Sequence, residues 1–215
     1  MKYGIHPSKL KYIFLTHIHI DHCVELPALI FGAYLTGKEG EFCVFGPQGI
    51  KHLTDSIFDT TYDFAREMMF KLRKKTIDIN ATTIDKGEIL KNNGLVIETI
   101  PVEHGFPTNA FVFKADGKKI VFSGDTAPCK NIIDISTDAD LLVIECSFPE
   151  EFGPIPGHLI PSQVAQIAQE AQAKKIILVH LFPMCKGKEI EILEEIKKIY
   201  SGDVQIEYDL QEIKV

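Results

Sequence analysis

Apolar positions change their spacing several times along the first part of the chain. Lys11-Tyr-Ile-Phe-Leu-Thr16 is a short run of β-branched and aromatic residues, which predicts a strand. A polar cluster follows, and then the apolar stretch from Val24 to Leu35 predicts a helix. Glu41 to Phe45 predicts a second strand, ended by Gly46-Pro47. Asp59 to Lys75 carries helical spacing through Tyr62, Ala65, Met69 and Leu72, with cations in its last turn.

From Thr76 the texture shifts to short strand-like runs at close spacing: Gly94 to Val102, Ala110 to Lys114, and Lys118 to Ser123. Asp116-Gly117 between the last two is a hairpin signal. The remainder predicts a strand over Leu141 to Cys146, a helix over Pro161 to Ala173 with Ser162 as a candidate start, and a strand over Lys175 to Val179. A helix over Glu189 to Tyr200 and a last strand near Val204 to Tyr208 complete the order. This is an α/β (α+β) succession. With no linker, low-complexity segment or short repeat, it predicts a single domain over residues 1–215.

Composition narrows the class. The chain has 215 residues, 45% hydrophobic and 25% charged, which suits one large globular domain and excludes a disordered or fibrous chain. A formal net charge of −7 argues against a broadly basic nucleic-acid-binding face. The densest basic stretch, Arg66, Arg73, Lys74 and Lys75, reads as a solvated helix face before an anion contact. Cys23, Cys43, Cys129, Cys146 and Cys185 are odd in number and hold no C-x-x-C pair, so they read as reduced thiols, neither a disulfide framework nor a cysteine-only zinc site. No run approaches the ~18 apolar residues of a membrane span. The opening Met1-Lys2-Tyr3-Gly4 leads into polar His6-Pro7-Ser8, so the expected location is cytoplasmic, with no membrane partner.

The chemistry is concentrated in the histidines. Of eight, His17, His19, His22, His104, His158 and His180 fall where a strand-like run ends or a polar loop begins. Thr16-His17-Ile18-His19-Ile20-Asp21-His22 places four metal-capable side chains in six residues, at the handover from strand to helix. A loop there can aim His17 and His19 at one point and Asp21 and His22 at another. His104 follows Ile100-Pro101-Val102, Asp125 follows Ile120-Val-Phe within Ser123-Gly124-Asp125-Thr126, and His180 ends Ile176-Ile-Leu-Val179. Taken singly, Asp125 reads equally as a turn residue and His104 or His180 as a lone polar group. Together these residues give five histidines and two aspartates, the set two metal ions need if one carboxylate is shared.

These motifs, with Glu103-His104-Gly105, Leu178-Val179-His180, Ala139-Asp140-Leu141-Leu142-Val143-Ile144-Glu145-Cys146-Ser147-Phe148 and Gly157-His158-Leu159-Ile160-Pro161-Ser162, resemble the metallo-β-lactamase superfamily. Within it they resemble the ribonuclease Z-like branch, which includes arylsulfatase-like and cyclic-nucleotide phosphodiesterase relatives. The resemblance implies a metallo-β-lactamase αββα four-layer sandwich with both metals at one edge of two facing sheets. It implies one metal on His17, His19 and His104, the other on Asp21, His22 and His180, and Asp125 shared. The implied cofactors are two divalent metal ions, zinc first, with manganese or iron as alternatives.

Two such ions ~3.5–4 Å apart hold one bridging hydroxide and clamp the attacking and leaving oxygens of a phosphate ester, so no side-chain nucleophile is needed. Neither Ser123, Ser147 nor Cys129 stands in a nucleophile context. The resemblance also implies that His158 contacts substrate and protonates or stabilises the leaving oxygen. Glu145 is placed to hydrogen-bond it, or else serves as a supporting residue beside a loop histidine. Asp21, His158 and Glu145 are therefore the candidate catalytic residues.

The chain departs from the family in several places. The family opens with roughly fifty residues of strands before the first histidine motif, whereas sixteen residues precede His17 here. The usual N-terminal strands are expected to be lacking, with the exposed sheet covered by a second copy in a homodimer or larger homo-oligomer. Glu25-Leu26-Pro27 stands where glycine usually precedes Leu-Pro, and Ile144 precedes Glu145 where histidine is common. Neither the long glycine-and-proline-rich arm nor the lysine-containing loop of transfer-RNA-processing members is found. The expected function is thus a dinuclear metal-dependent phosphodiesterase on a small or RNA-like phosphodiester, with transfer RNA disfavoured. A lactone, thioester or sulfate-ester hydrolase on the same metals, or a non-catalytic metal-binding or assembly protein, are the alternatives.

Overall fold

Alternation of buried and exposed positions along Glu41–Gly46 is strict, with Phe42 and Val44 wholly buried, because successive strand side chains point to opposite faces. This strand, β2, sits at the centre of a parallel three-stranded sheet in the computed structural model, between β1 (Tyr12–Phe14) and β3 (Asp78–Thr83). The structure describes residues 5–57 and 78–215. The helix expected over Asp59 to Lys75, and with it the basic stretch Arg66 to Lys75, lies outside the described residues. The chain divides into two compact units, Met1–Ile84 and Asp85–Val215.

In the first unit the helices are α1 (Ile20–Cys23), α2 (Leu26–Leu35) and α3 (Ile50–Asp55). Leu26, Ile30 and Ala33 of α2 pack with Phe42, Val44 and Ile50 as its core, each large side chain contributing about 1.5–3 kcal/mol through burial. The helix expected over Val24 to Leu35 begins two residues later, at Leu26. Pro27 has no N–H to donate and is tolerated only in a first turn, so the helix starts at Leu26 and a separate turn forms ahead of it, carrying Asp21 and His22. The strand expected over Lys11 to Thr16 contracts to three residues. β3 gives no hydrophobic signal because its sequence, Asp-Ile-Asn-Ala-Thr-Thr, lies at a sheet edge with most positions exposed.

The second unit is built on a seven-stranded sheet. It contains β4 (Gly87–Asn92), β5 (Leu95–Val102), β6 (Thr108–Ala115), β7 (Lys118–Phe122), β8 (Leu141–Glu145), β9 (Lys175–Val179) and β10 (Asp203–Ile206), in the order β10-β9-β8-β7-β6-β5-β4. Pairing is antiparallel from β4 to β7 and parallel from β7 to β10. β5, β7, β8 and β9 consequently run in one direction, and their carboxyl ends share one rim. Asn93-Gly94 and Asp116-Gly117 turn the two hairpins with both residues at positive φ, the conformation that matches strand twist in a two-residue turn.

Ala110, Val121, Leu142, Ile144, Ile176 and Leu178 present one face of this sheet to a core shared with α4 (Lys130–Ser136), α5 (Pro161–Glu170) and α6 (Glu189–Lys197). Two expected helices are shorter than their apolar spacing. α5 stops because Gln172 turns left-handed after Ala171, and α6 gives way to a cap at Lys198. The expected start at Ser162 moves to Pro161, with Ile160 as the cap residue whose N–H donates to Gln163 Oε1 at 3.2 Å. α4 gives little helical signal because Ile132, Ile133 and Ile135 are β-branched. All five cysteines are free thiols. Burial pushes the Cys146 thiol well above its ordinary range, so it acts as a small hydrophobe.

Candidate metal centre

In the first unit β1 delivers the chain into a short loop, and α1 begins directly after it with His19 as its cap residue. This brings the metal-capable residues of the first motif together. The wholly buried His17 ring lies edge-on to His19 at 4.7 Å and against His22 at 4.0 Å between centroids. His22 Nε2 stands 3.4 Å from Asp21 Oδ2. His17 Nδ1 is 3.1 Å from the Thr16 hydroxyl, which fixes the ring's rotation.

In the second unit four strand ends bring His104, Asp125, Glu145 and His180 to one rim. His104 Nε2 and His180 Nε2 stand 3.8 and 3.4 Å from the same oxygen, Asp125 Oδ2. The Nδ1 atoms of both rings are engaged on the protein side, at 2.8 Å from the Gly157 carbonyl for His104 and 2.9 Å from Ser147 Oγ for His180. Since a carbonyl only accepts, His104 Nδ1 carries the proton and Nε2 is left with its lone pair. Ser147 donates its hydroxyl proton to Glu145 Oε2, so its oxygen accepts from His180 Nδ1 and sets that ring in the same tautomer. This is how metal-binding imidazoles are oriented.

The donor set suits a divalent ion. Separations of 3.4 and 3.8 Å exceed an ordinary hydrogen bond, whereas two ligands bonded at ~2.0–2.1 Å to one tetrahedral ion stand roughly 3.4 Å apart. Asp125 is nearly buried, with 5% of its side chain exposed, and a buried carboxylate is costly unless charge compensates it. Donors of His104, Asp125 and His158 lie within 4.8 Å of one another, as do those of Glu145, His158 and His180. His158, which the sequence reading separates from the ligands, is therefore close to both clusters.

Glu145 is 1% exposed and holds the rim together. Its carboxylate accepts from Thr126 N–H at 2.6 Å, Leu159 N–H at 3.2 Å, His158 Nδ1 at 3.2 Å and the Ser147 hydroxyl. One of those amides follows Asp125 and another follows His158, so a single buried anion fixes both loops. His180 itself has φ 57°, a left-handed conformation that histidine adopts more readily than bulky residues do. Ser147 and Gly157 are the functional residues that sequence reasoning missed. A signal for Ser147 existed, since it stands just past the end of β8, two residues beyond Glu145, where a chain continuing extended turns its side chain to the same side. None existed for Gly157.

Gly157 has φ +79°, and a Cβ there would stand 2.7 Å from the His104 carbonyl oxygen and 3.0 Å from His104 Nδ1. Gly157→Ala is therefore expected to displace the His104 ring and to lower metal affinity by about 10–100-fold, the usual effect of losing a ligand's orienting partner. Metal titration of the purified variant checks this, with circular dichroism to show that the fold persists.

Comparison with known proteins gives concordant matches. A family model described as the beta-lactamase superfamily domain matches residues 4–181. A curated relative from Bacillus licheniformis, named ribonuclease Z, is 29% identical over 248 aligned positions that span 94% of this chain and 80% of the relative. Those 248 positions exceed the 215 residues of the whole chain, so the relative carries residues with no counterpart here. Among solved structures, the metallo-beta-lactamase fold protein YhfI from Bacillus subtilis superposes with a TM-score of 0.74 at 22% identity, over 95% of this chain and 77% of that one. Human tRNase Z, short form, superposes with a TM-score of 0.71 at 18% identity, over 100% of this chain and 82% of that one. The fold is the metallo-β-lactamase fold.

Proposed function

The chain belongs to the beta-lactamase superfamily, and on that premise we propose that it is a metal-dependent hydrolase of phosphodiesters. The observation that carries this is the convergence of His104 Nε2 and His180 Nε2 on Asp125 Oδ2 with both Nδ1 atoms engaged elsewhere. The proposed ligands are His17, His19, Asp21, His22, His104, Asp125 and His180, for two divalent ions with zinc as the first candidate. When bound, such ions supply an activated water at neutral pH and neutralise charge on the phosphoryl oxygens.

The protein's own groups supply the rest. His158, its Nδ1 held by Glu145, directs its other nitrogen away from that carboxylate, and we assign it proton donation to the leaving oxygen. Glu145 acts through His158 and the two loops, as a positioning residue. His158→Ala is expected to cut turnover by about 10²–10⁴-fold, the usual worth of a positioned acid, while metal content stays unchanged. Metal loss in that variant would instead make His158 a ligand, as its closeness to both donor clusters permits.

The substrate we infer is a small or RNA-like phosphodiester. A net charge of −7 weighs against a large structured RNA, whose grip needs many phosphate contacts. Among the described residues no helix is long and apolar enough to cross a membrane. The deciding experiment measures hydrolysis of bis(p-nitrophenyl) phosphate beside a panel of lactones, thioesters and sulfate esters, with zinc or manganese added. Turnover confined to the panel would reassign the substrate, and no turnover on any of them would leave a metal-binding protein.

Self-association belongs to the same reading. β1 is an edge strand of its sheet, and Ile13 and Phe14 are only half-buried, a surface that chains commonly cover with a second copy. Light scattering at micromolar concentration should give a dimer or larger species, and a monomer would overturn this part.

A further inference from the structure

An aromatic wall adjoins the two histidines at the end of the second unit's rim. The rings of Phe148 and Phe182 are 5.0 Å apart at 60°, and Phe152 stands 5.8 Å from Phe148. Phe182 in turn lies 5.5 Å from His158 and 5.1 Å from His180, and Phe148 lies 5.8 Å from His158. This is not a core cluster: Phe148 and Phe182 are half-buried and Phe152 is 47% exposed. Single exposed apolar side chains are ordinary, whereas a contiguous aromatic patch beside polar site residues marks a contact surface.

The wall is also held in place. Phe152 rides on the turn Glu150–Phe152, and the Glu150 carboxylate accepts from Ser162 N–H at 2.9 Å and from the Ser162 hydroxyl at 2.7 Å. The Glu151 carboxylate pairs with Lys188. Phe182 is fixed by its own N–H, which donates to the Ser147 carbonyl at 3.2 Å. An exposed ring on so anchored a turn loses little freedom when something stacks on it, so the contact is preorganised.

We propose that Phe148, Phe152 and Phe182 are a stacking platform for the nucleobase of a nucleotide ester whose phosphoryl group lies beside His158 and His180. This rests on the phosphodiester reading and narrows it: the preferred substrates carry a base within one sugar of the scissile phosphate. Every base has a π-face, so the platform selects for a base without selecting which one. Alkyl and plain sugar phosphodiesters lack this contact.

The test uses the full chain loaded with zinc or manganese and compares binding of adenosine 5′-monophosphate with that of ribose 5-phosphate, which differs only by the base. The nucleotide is expected to bind roughly ten- to a hundredfold more tightly, the range that one stacked base supplies. Phe152→Leu and Phe148→Leu keep apolar bulk and remove the π-face, and they should bring the ratio towards one without altering ribose 5-phosphate binding. Should Phe148→Leu fold poorly, Phe152→Leu at the surface carries the comparison alone. A second readout is 2-aminopurine riboside 5′-monophosphate, whose fluorescence is quenched by stacking, in a protein with no tryptophan of its own. Quenching that disappears in the leucine variants supports the platform. Equal binding of the two phosphates, or a ratio untouched by both substitutions, overturns it and leaves the phosphodiester reading standing. If neither phosphate binds the loaded chain, the platform and the phosphodiester reading are both overturned.

Discussion

Glu145→Ala should destabilise the protein by about 3–5 kcal/mol, the range seen when one partner of a buried charged network is removed. The physical reason is what stays behind. Thr126 N–H, Leu159 N–H, His158 Nδ1 and the Ser147 hydroxyl all donate to this one carboxylate, and a buried donor left unsatisfied costs about 1–3 kcal/mol. Glu145→Gln should fall between the two, because its amide oxygen still accepts while its NH₂ group faces donors. Urea unfolding with an unchanged m-value is the measurement. A loss below about 1 kcal/mol for the alanine variant would show that water replaces the carboxylate at little cost, and that the two loops are fixed by something else.

Asp125→Ala is expected to empty both metal positions and to lower turnover by at least about 10⁴-fold, several kcal/mol of transition-state stabilisation. Asp125 Oδ2 is the point on which two histidine nitrogens converge, and we assign it to both ions. His104→Ala should weaken one ion and spare the other. Metal analysis of protein prepared without chelators tests the pair: the wild type should hold about two ions per chain. Occupancy near one even with excess zinc or manganese would rule out the shared carboxylate. So would retention of both ions in Asp125→Ala.

What the sequence made legible follows from how each feature is encoded. The first histidine motif and the strand-terminal positions of His104, Asp125 and His180 are local patterns, and Asp116-Gly117 is a local turn rule. β3 was illegible because an exposed edge strand needs no apolar alternation, and α4 because isoleucines in it favour strand by propensity until packing decides. The start of α2 at Leu26 could have been read from Pro27 alone, since proline is tolerated in a helix's first turn. Gly157 could not. Its role exists only through a contact with His104, 53 residues away, and a single glycine before a histidine says nothing of such a partner. The same holds for the Ser147 relay to His180, 33 residues distant, and for the aromatic wall, whose rings are scattered from Phe148 to Phe182 in sequence.

The running direction of β5, β7, β8 and β9 leaves the second unit with two unlike rims. One carries the chemistry at the carboxyl ends of the strands. The other carries the Asn93-Gly94 and Asp116-Gly117 turns, where those strands begin. Adding a residue inside β8 would exchange Glu145 for Ile144 at the rim, because neighbouring strand positions face opposite ways. Adding peptide at either turn displaces nothing along the strands. The hairpin rim is thus the place at which this protein can accept a fused domain, a label or a surface tether, with the strand positions of its reactive rim unchanged.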